Sequence, residues 1–329
     1  MASVIIPPCS RNWLVPMLLL LLVQLEVVNG RWGRNFFRKL RKKDLQDSDG
    51  GGDGSLPCGA STCASCTCCS GGDDSNAPSI VKDGKAVRLD SFPTVVERGL
   101  NVSVVDADKQ LFYIHAFLSA AEAEAMSSFC AEPGRFQRSP QTGVADASGA
   151  ENLARTSSSC PLLFAIFYMP RFADVQAKNP ALAKELELTW NVTVRAAGLL
   201  GVDPANLEPF QLLRYSPGEY YKQHHDHRAY YEPGPAGYPD RPVTLLLFLN
   251  DVPVGGQLKF DRLGLEFSPR RGDAVAWSNV RQDTGKADPD MVHEAMPLPE
   301  GATKMAVNVW VRDEPFTSPQ QAMQRQQSR

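Results

Sequence analysis

The chain reads as an α+β protein in which helices pack on one sheet of a jelly roll. Two helical segments precede a dense series of short β-type runs, and Gly- and Pro-rich turn dipeptides separate those runs. An apolar share of 43% over 329 residues supplies enough core for one large domain or two small ones without staples.

Residues 1–30 come first. Arg11, an apolar stretch from Trp13 to Val23, and the small residues Asn29 and Gly30 follow the order of a secretory signal peptide. Gln24 and Glu26 cut the apolar run below the ~20 residues a spanning helix requires. A cleaved signal is therefore favoured over a signal anchor, which would leave a membrane tether. Residues 31–43, RWGRNFFRKLRKK, read as a solvated basic linker, with an anionic surface as the alternative partner. Residues 44–76 are rich in Gly, Ser, Asp and Cys and too poor in large apolar side chains to offset ordering. The whole stretch 31–89 is thus expected as a linker.

Five of the eight cysteines lie between Cys58 and Cys69, spaced C-x4-C-x2-C-x-C-C. No histidine is near and the spacing is not that of a two-pair zinc site, so disulfides in an oxidising compartment are the favoured reading. The acceptor sequences Asn101-Val102-Ser103 and Asn191-Val192-Thr193 point the same way, to the endoplasmic reticulum or Golgi lumen and to glycosylation at Asn101 and Asn191. A net charge of -3, from 34 basic and 37 acidic residues, argues against a nucleic-acid partner held by phosphate contacts. Nothing in the pattern sets an oligomeric state.

Residues 90–315 carry the globular pattern, and 316–329 form a polar tail. Ser119 opens a helix, SAAEAEAMSSFC, with Glu122 three residues on to complete a capping box. Pro180 to Leu199 make a second helix, with Leu182, Leu186, Trp190, Val194 and Leu199 as its apolar face. After Leu207 the texture turns to β: PFQLLRY, PVTLLLFLN, QLKFD, LEFS, DAVAW and KMAVNVWV.

Three of the five histidines fall in one segment, running from Gly218 through His224, His225, Asp226 and His227. On a strand, His224 and Asp226 share a face while His225 points away. The pairing of His225 with His227 would lose the carboxylate. One imidazole and one carboxylate suit iron(II) when a third ligand joins them and open positions remain. His293, beside an expected strand, is the candidate for that third ligand. A surface histidine cluster without metal is the bland alternative, and His115 reads as an ordinary structural histidine. Lys304 lies eleven residues after His293, where a strand would aim its ammonium into the barrel mouth. A buried lysine needs an anion, and the distal carboxylate of 2-oxoglutarate would supply one.

Several strings in this order resemble the catalytic domain of prolyl 4-hydroxylases, especially the small plant and algal type. They are Arg155-Thr156-Ser157, LEPFQLLRYSPGEYYKQHHDH, RPVTLLLFLNDVPVGG, SPRRGDAVAW and DMVHEAMPLPEGATKMAVNVW, and the likeness runs from about Ser119 to Asp313. The resemblance implies a double-stranded β-helix core, with His224, Asp226 and His293 as iron ligands and Lys304 as the 2-oxoglutarate anchor. It also implies Tyr215 and Thr244 as co-substrate pocket residues, and Arg155, Ser157, Glu208, Tyr221, Arg241 and Trp310 as residues around a proline-rich polypeptide. Tyr215 and Trp310 would equally suit core aromatics, and Arg241 a loop charge.

The cofactors implied are Fe(2+), 2-oxoglutarate, O2 and L-ascorbate, and the reaction is hydroxylation of peptidyl proline with release of succinate and CO2. The segment from Arg228 to Arg241 is expected as a loop closing over the peptide. The sequence departs from the family at Gln257-Leu258, where Glu-Thr is usual, at Met305, where Trp is common, and at His227, which replaces an aromatic residue. Two alternatives stand beside this reading: a hydroxylase of lysine or another residue on the same scaffold, and a secreted jelly-roll binding protein without turnover.

Overall fold

A computed structural model describes residues 79–139, 154–163, 165–231 and 240–315. The expected signal segment, the cysteine cluster and the polar tail lie outside these residues, as does the middle of the expected closing loop, 232–239.

Among the described residues fifteen strands form two antiparallel sheets. In chain order they are β1 (Ser79–Lys82), β2 (Lys85–Arg88), β3 (Thr94–Glu97), β4 (Leu100–Asp106), β5 (Leu111–His115), β6 (Gln137–Arg138) and β7 (Ser158–Pro161). Then follow β8 (Gln211–Tyr215), β9 (Tyr221–His224), β10 (Val243–Phe248), β11 (Leu258–Phe260), β12 (Leu265–Phe267), β13 (Ala274–Ser278), β14 (His293–Ala295) and β15 (Lys304–Val311). The major sheet runs β3-β4-β5-β13-β10-β15-β8-β7-β6, and the minor sheet β2-β1-β12-β11-β14-β9. Four helices complete the fold: α1 (Ala120–Ser128), α2 (Ala165–Tyr168), α3 (Phe172–Lys178) and α4 (Pro180–Leu200).

The period of two along each central strand explains the layering. On β10, Val243, Leu245 and Leu247 pack with α1 and α4 residues such as Met126, Val192, Ala196 and Leu200. Leu246 and Phe248 face the other way, into a core shared with Phe260 and Phe267 of the minor sheet. Strand β15 divides likewise: Val307, Val309 and Val311 lie on the helix side, and Ala306 on the inter-sheet side. Every position of β10 is buried, so its apolar run is continuous, as a strand covered on both faces requires.

The expected helix at Ser119 forms with its full capping box: the Ser119 hydroxyl accepts from Glu122 N, and Glu122 accepts from Ser119 N. Helix α4 begins at Pro180 behind the Asn179 cap and stops at Gly201, whose φ of 66° is the left-handed conformation of a helix end. Its buried stripe differs from the expected one. Leu186 and Leu199 are buried as expected, but Ala183, Thr189, Val192, Thr193, Ala196, Ala197 and Leu200 complete the buried side, whereas Val194 is 46% exposed. Small residues let the helix approach the sheet closely, and weighing only large apolar residues turned the predicted face away from them.

The stretch 31–89, expected as linker, contains the β1–β2 hairpin. Strand β1 pairs with β12, Ile80 opposite Phe267, and Ile80 is buried there. One buried side chain in a four-residue strand leaves almost no hydrophobic pattern to read. Both Asn101 and Asn191 are exposed. Among the described residues no helix is long and apolar enough to cross a membrane.

A disulfide joins Cys130, just past α1, to Cys160 in β7. It closes a separation of 30 residues, for which loop entropy gives a stabilisation of about 3.6 kcal/mol. Replacing both cysteines with alanine, or adding reductant, should lower the unfolding free energy by roughly that amount in urea titrations. An unchanged midpoint on reduction would show the bridge to be energetically silent.

Candidate metal centre

Strand β9 reads YKQH, with Tyr221 buried and Lys222 and Gln223 exposed. Its last residue, His224, pairs directly with His293, the first residue of β14. Neighbouring antiparallel positions thus bring two imidazoles together, with ring centroids 4.2 Å apart. The strand ends at His224, so Asp226 sits on the turn that follows, and the two-residue spacing still delivers its carboxylate to the same side. Asp226 Oδ1 lies 3.9 Å from His224 Nε2, and Oδ2 lies 3.7 Å from His293 Nε2.

His225 turns away, as the alternation predicts. Its Nε2 bonds the Asp288 carbonyl at 2.9 Å, its Nδ1 accepts from His227 N at 3.0 Å, and its ring stacks on Tyr230. It pins the turn that carries Asp226. His227 sits 3.5 Å from Asp240, and His115 bonds Ser103 at 2.8 Å, so neither joins the centre.

The two imidazoles are held in one tautomer by the same local device. Each Nδ1–H donates at 2.9 Å to the carbonyl two residues earlier, Lys222 for His224 and Met291 for His293. Both Nε2 lone pairs are left for an ion. Burial, with His293 close by, holds His224 well below the usual histidine range. Burial alone would raise the Asp226 carboxyl. The opposing pull of His293, His224 and Arg241, with the Thr244 hydrogen bond, takes it down to about 2. Two imidazoles with Nε2 turned inward and one carboxylate, with donor atoms all within 4.8 Å of one another, fit a divalent iron that keeps open positions.

A cavity opens from this triad between the sheets, lined by Leu213, Tyr215, Leu246, Ala306, Asn308 and Lys304. Lys304 opens β15 opposite Tyr215 and is 2% exposed. Its ammonium donates to the Gly256 carbonyl at 2.6 Å and lies 5.3 Å from the Tyr215 ring centre. Burial alone pushes it down to about 7. A cation so placed fits an incoming carboxylate. Gly256 is needed here: at φ of 65°, an added Cβ would stand 2.8 Å from Leu298 and 3.3 Å from the Lys304 stem.

The remaining expected site residues fall into two groups. Tyr221 stacks on His224 with ring centroids 3.5 Å apart, and the Arg155 guanidinium carbon lies 4.5 Å from the Tyr221 ring centre. Arg155 Nε bonds Ser157, and both residues interact with the Tyr215 hydroxyl. In the second group Arg241 makes a two-point pair with Glu208 at 2.8 and 2.7 Å and stacks 3.6 Å from the Trp310 ring centre. Thr244 is fully buried and donates to Asp226 Oδ2 at 2.8 Å, so it meets the carboxylate ligand itself.

Sequence reasoning named no partner for Thr244. Asn279 Nδ2 supplies one at 2.9 Å, and its only sequence signal was a polar residue closing the apolar run DAVAWSN. Beside His224 an open groove is lined by Gln223, Tyr230, Tyr231, Asp261 and Arg262. The Tyr231 hydroxyl accepts from His225 N at 2.6 Å, which fixes the described start of the expected closing loop.

Residues 210–312 match the sequence profile of the 2OG-Fe(II) oxygenase superfamily. Fold, donor set and profile define an oxygenase domain of that superfamily. The curated relatives it is similar to carry the prolyl 4-hydroxylase name. Prolyl 4-hydroxylase 1 of Arabidopsis thaliana is 28% identical over 222 residues, covering 64% of this chain and 71% of that protein. The human prolyl 4-hydroxylase subunit alpha-1 is 31% identical over 139 residues, 41% of this chain and 24% of the subunit. A protein of Acanthamoeba polyphaga mimivirus that carries the prolyl 4-hydroxylase name is 31% identical over 120 residues, 34% of this chain. The match spans about half of that viral relative, 48%. The viral collagen prolyl hydroxylase of Paramecium Bursaria Chlorella virus-1, solved with 2OG, superposes with a TM-score of 0.43 at 20% identity, covering 63% of this chain and 98% of that one.

Two outcomes follow from the geometry. His293→Ala should cut divalent-metal affinity by at least about 100-fold in equilibrium titrations, because the loss of one of three ligands exceeds the 10–100-fold effect of an outer partner. Wild-type affinity in that variant would disprove the ligand set. For Lys304, the unfolded chain holds a proton between pH 7 and the ordinary lysine range that the folded chain has released, so folding stability should rise with pH across that window. Lys304→Met should remove this slope, stabilise the ligand-free protein and abolish measurable 2-oxoglutarate binding.

Proposed function

We propose that this protein is an Fe(II)- and 2-oxoglutarate-dependent dioxygenase that converts peptidyl proline to 4-hydroxyproline in secretory-pathway polypeptides, releasing succinate and CO2. The observation that carries the reading is the joining of two features in one cavity: the three ligand side chains and the buried Lys304 ammonium. When bound, iron with 2-oxoglutarate and O2 supplies the oxidising power to replace a substrate hydrogen by hydroxyl, with L-ascorbate as the reductant that keeps the metal ferrous.

The chain's own residues do the positioning. His224, Asp226 and His293 present their donors on one side and leave the other side open. Lys304 grips the far carboxylate of 2-oxoglutarate, and Tyr215, held by Ser157 and Arg155, forms the adjoining wall. The apolar lining from Leu213, Leu246 and Ala306 keeps water out. Tyr221 covers one flank of His224, and the groove with Tyr230 and Tyr231 suits an extended proline-rich peptide, whose polyproline II form already has little entropy to lose. The signal-like residues 1–30 and the exposed asparagines of two glycosylation sequences support a luminal site of action.

Purified protein supplied with iron, 2-oxoglutarate and proline-rich peptides should yield succinate and a peptide heavier by one oxygen, located on proline by fragment mass spectrometry. Oxygen gained on lysine instead would move the substrate to the alternative residue, and the absence of succinate under all peptides would sink the enzymatic reading.

A further inference from the structure

Behind Asp226, three buried polar side chains form a line: Thr244, Asn279 and Trp277. Thr244 Oγ1 is 2.8 Å from Asp226 Oδ2, Asn279 Nδ2 is 2.9 Å from Thr244 Oγ1, and Trp277 Nε1 is 2.8 Å from Asn279 Oδ1. Each link has only one possible direction. The indole N–H can only donate, so the Asn279 atom facing it is the oxygen. The Asn279 amide nitrogen then has two hydrogens to place. One goes to Thr244, and the other goes at 2.9 Å to the Arg241 carbonyl, which can only accept and so fixes the same amide orientation independently. With its oxygen accepting from Asn279, Thr244 turns its own hydrogen to Asp226. The Asn279 backbone is held as well, by bonds with Pro242 and Asp288.

We propose that Trp277 and Asn279 are positioning residues of the metal centre, whose hydrogen bonds compel Thr244 to donate to Asp226 Oδ2 and reserve Oδ1 for the ion. This rests on the reading of His224, Asp226 and His293 as ligands. In a buried site each link sharpens the next, because a misdirected donor would face another donor with no water to relieve it. The relay also accounts for a threonine and an asparagine in an apolar stretch of sheet where valine and leucine would pack as well.

The test is Co(II) titration of the metal-free, full-length protein, followed by the visible absorption of the bound ion. Four variants are compared: Thr244→Val, Thr244→Ser, Asn279→Asp and the Val/Asp pair. Asn279→Asp keeps shape and the Trp277 bond but places an acceptor where a donor stood, which draws the Thr244 hydrogen away from Asp226. Each of Thr244→Val and Asn279→Asp should weaken Co(II) binding by at least about tenfold, the range expected for a partner of a ligand. The pair should lose no more than Thr244→Val alone, and Thr244→Ser should bind as wild type.

A merely structural role would lower the melting temperature of each variant while leaving Co(II) affinity alone, or would give losses that multiply in the pair; either result overturns the relay. If Asn279→Asp does not fold, Trp277→Phe takes its place in the same cycle with the same expectation. Failure of the wild type to take up Co(II) would remove the ligand assignment together with the relay, whereas binding by the wild type and equally by folded Thr244→Val would remove the relay only.

Discussion

A slip of one residue between β9 and β14 would turn every side chain of either strand to its opposite face, replacing His293 beside His224 by Glu294 or Val292. The site therefore depends on strand register, and much of the surrounding structure holds it. Trp277 and Phe260 pack against the His293 ring, with centroids 4.9 and 5.5 Å away. Glu294 is drawn outward to Lys259, 3.6 Å away. Asp288, ahead of β14, receives Lys109 from across the fold and gives its carbonyl to His225. The turn with Asp226 and the strand with His293 are thus fastened to each other at a point separate from the ligands.

The parts legible in the sequence are those governed by short-range periodicity. Helix capping at Ser119, the strands β8, β10, β13 and β15, and the opposite orientation of His225 all follow from local chemistry. The convergence of His224 with Asp226 followed from two-residue spacing, although the strand ends two residues before Asp226. What escaped was long-range or weakly patterned: the partner of Thr244, the Cys130–Cys160 bridge, the hairpin before residue 90, and the true buried face of α4. A hydrogen bond between residues 35 positions apart leaves no trace in periodicity. A buried stripe of alanine and threonine is also invisible to a count of large apolar residues.

The two clusters of expected peptide-side residues illustrate how buried charge is tolerated near an open site. Arg241 has both Glu208 oxygens and the Trp310 face, and Arg155 has Ser157 and the Tyr221 face. Each guanidinium meets an acceptor edge-on and an aromatic ring flat-on, the two contacts its planar shape allows at once. These groups stand braced before any peptide arrives, so ordering them adds little to the entropy of binding. Lys304 contrasts with both. Among the described residues it has one carbonyl and no carboxylate partner, so its burial is costly until an anion joins it.

The β1–β2 hairpin bears on how this domain should be handled. It occupies the open edge of β12, whose backbone groups would otherwise face solvent as a template for another strand. A recombinant fragment begun at residue 90, where the hydrophobic pattern strengthens, would lack that cover and leave Phe267 without Ile80 opposite it. The superfamily profile match begins well downstream of this hairpin, at residue 210. Ten residues with almost no recognisable signature thus close one edge of the minor sheet.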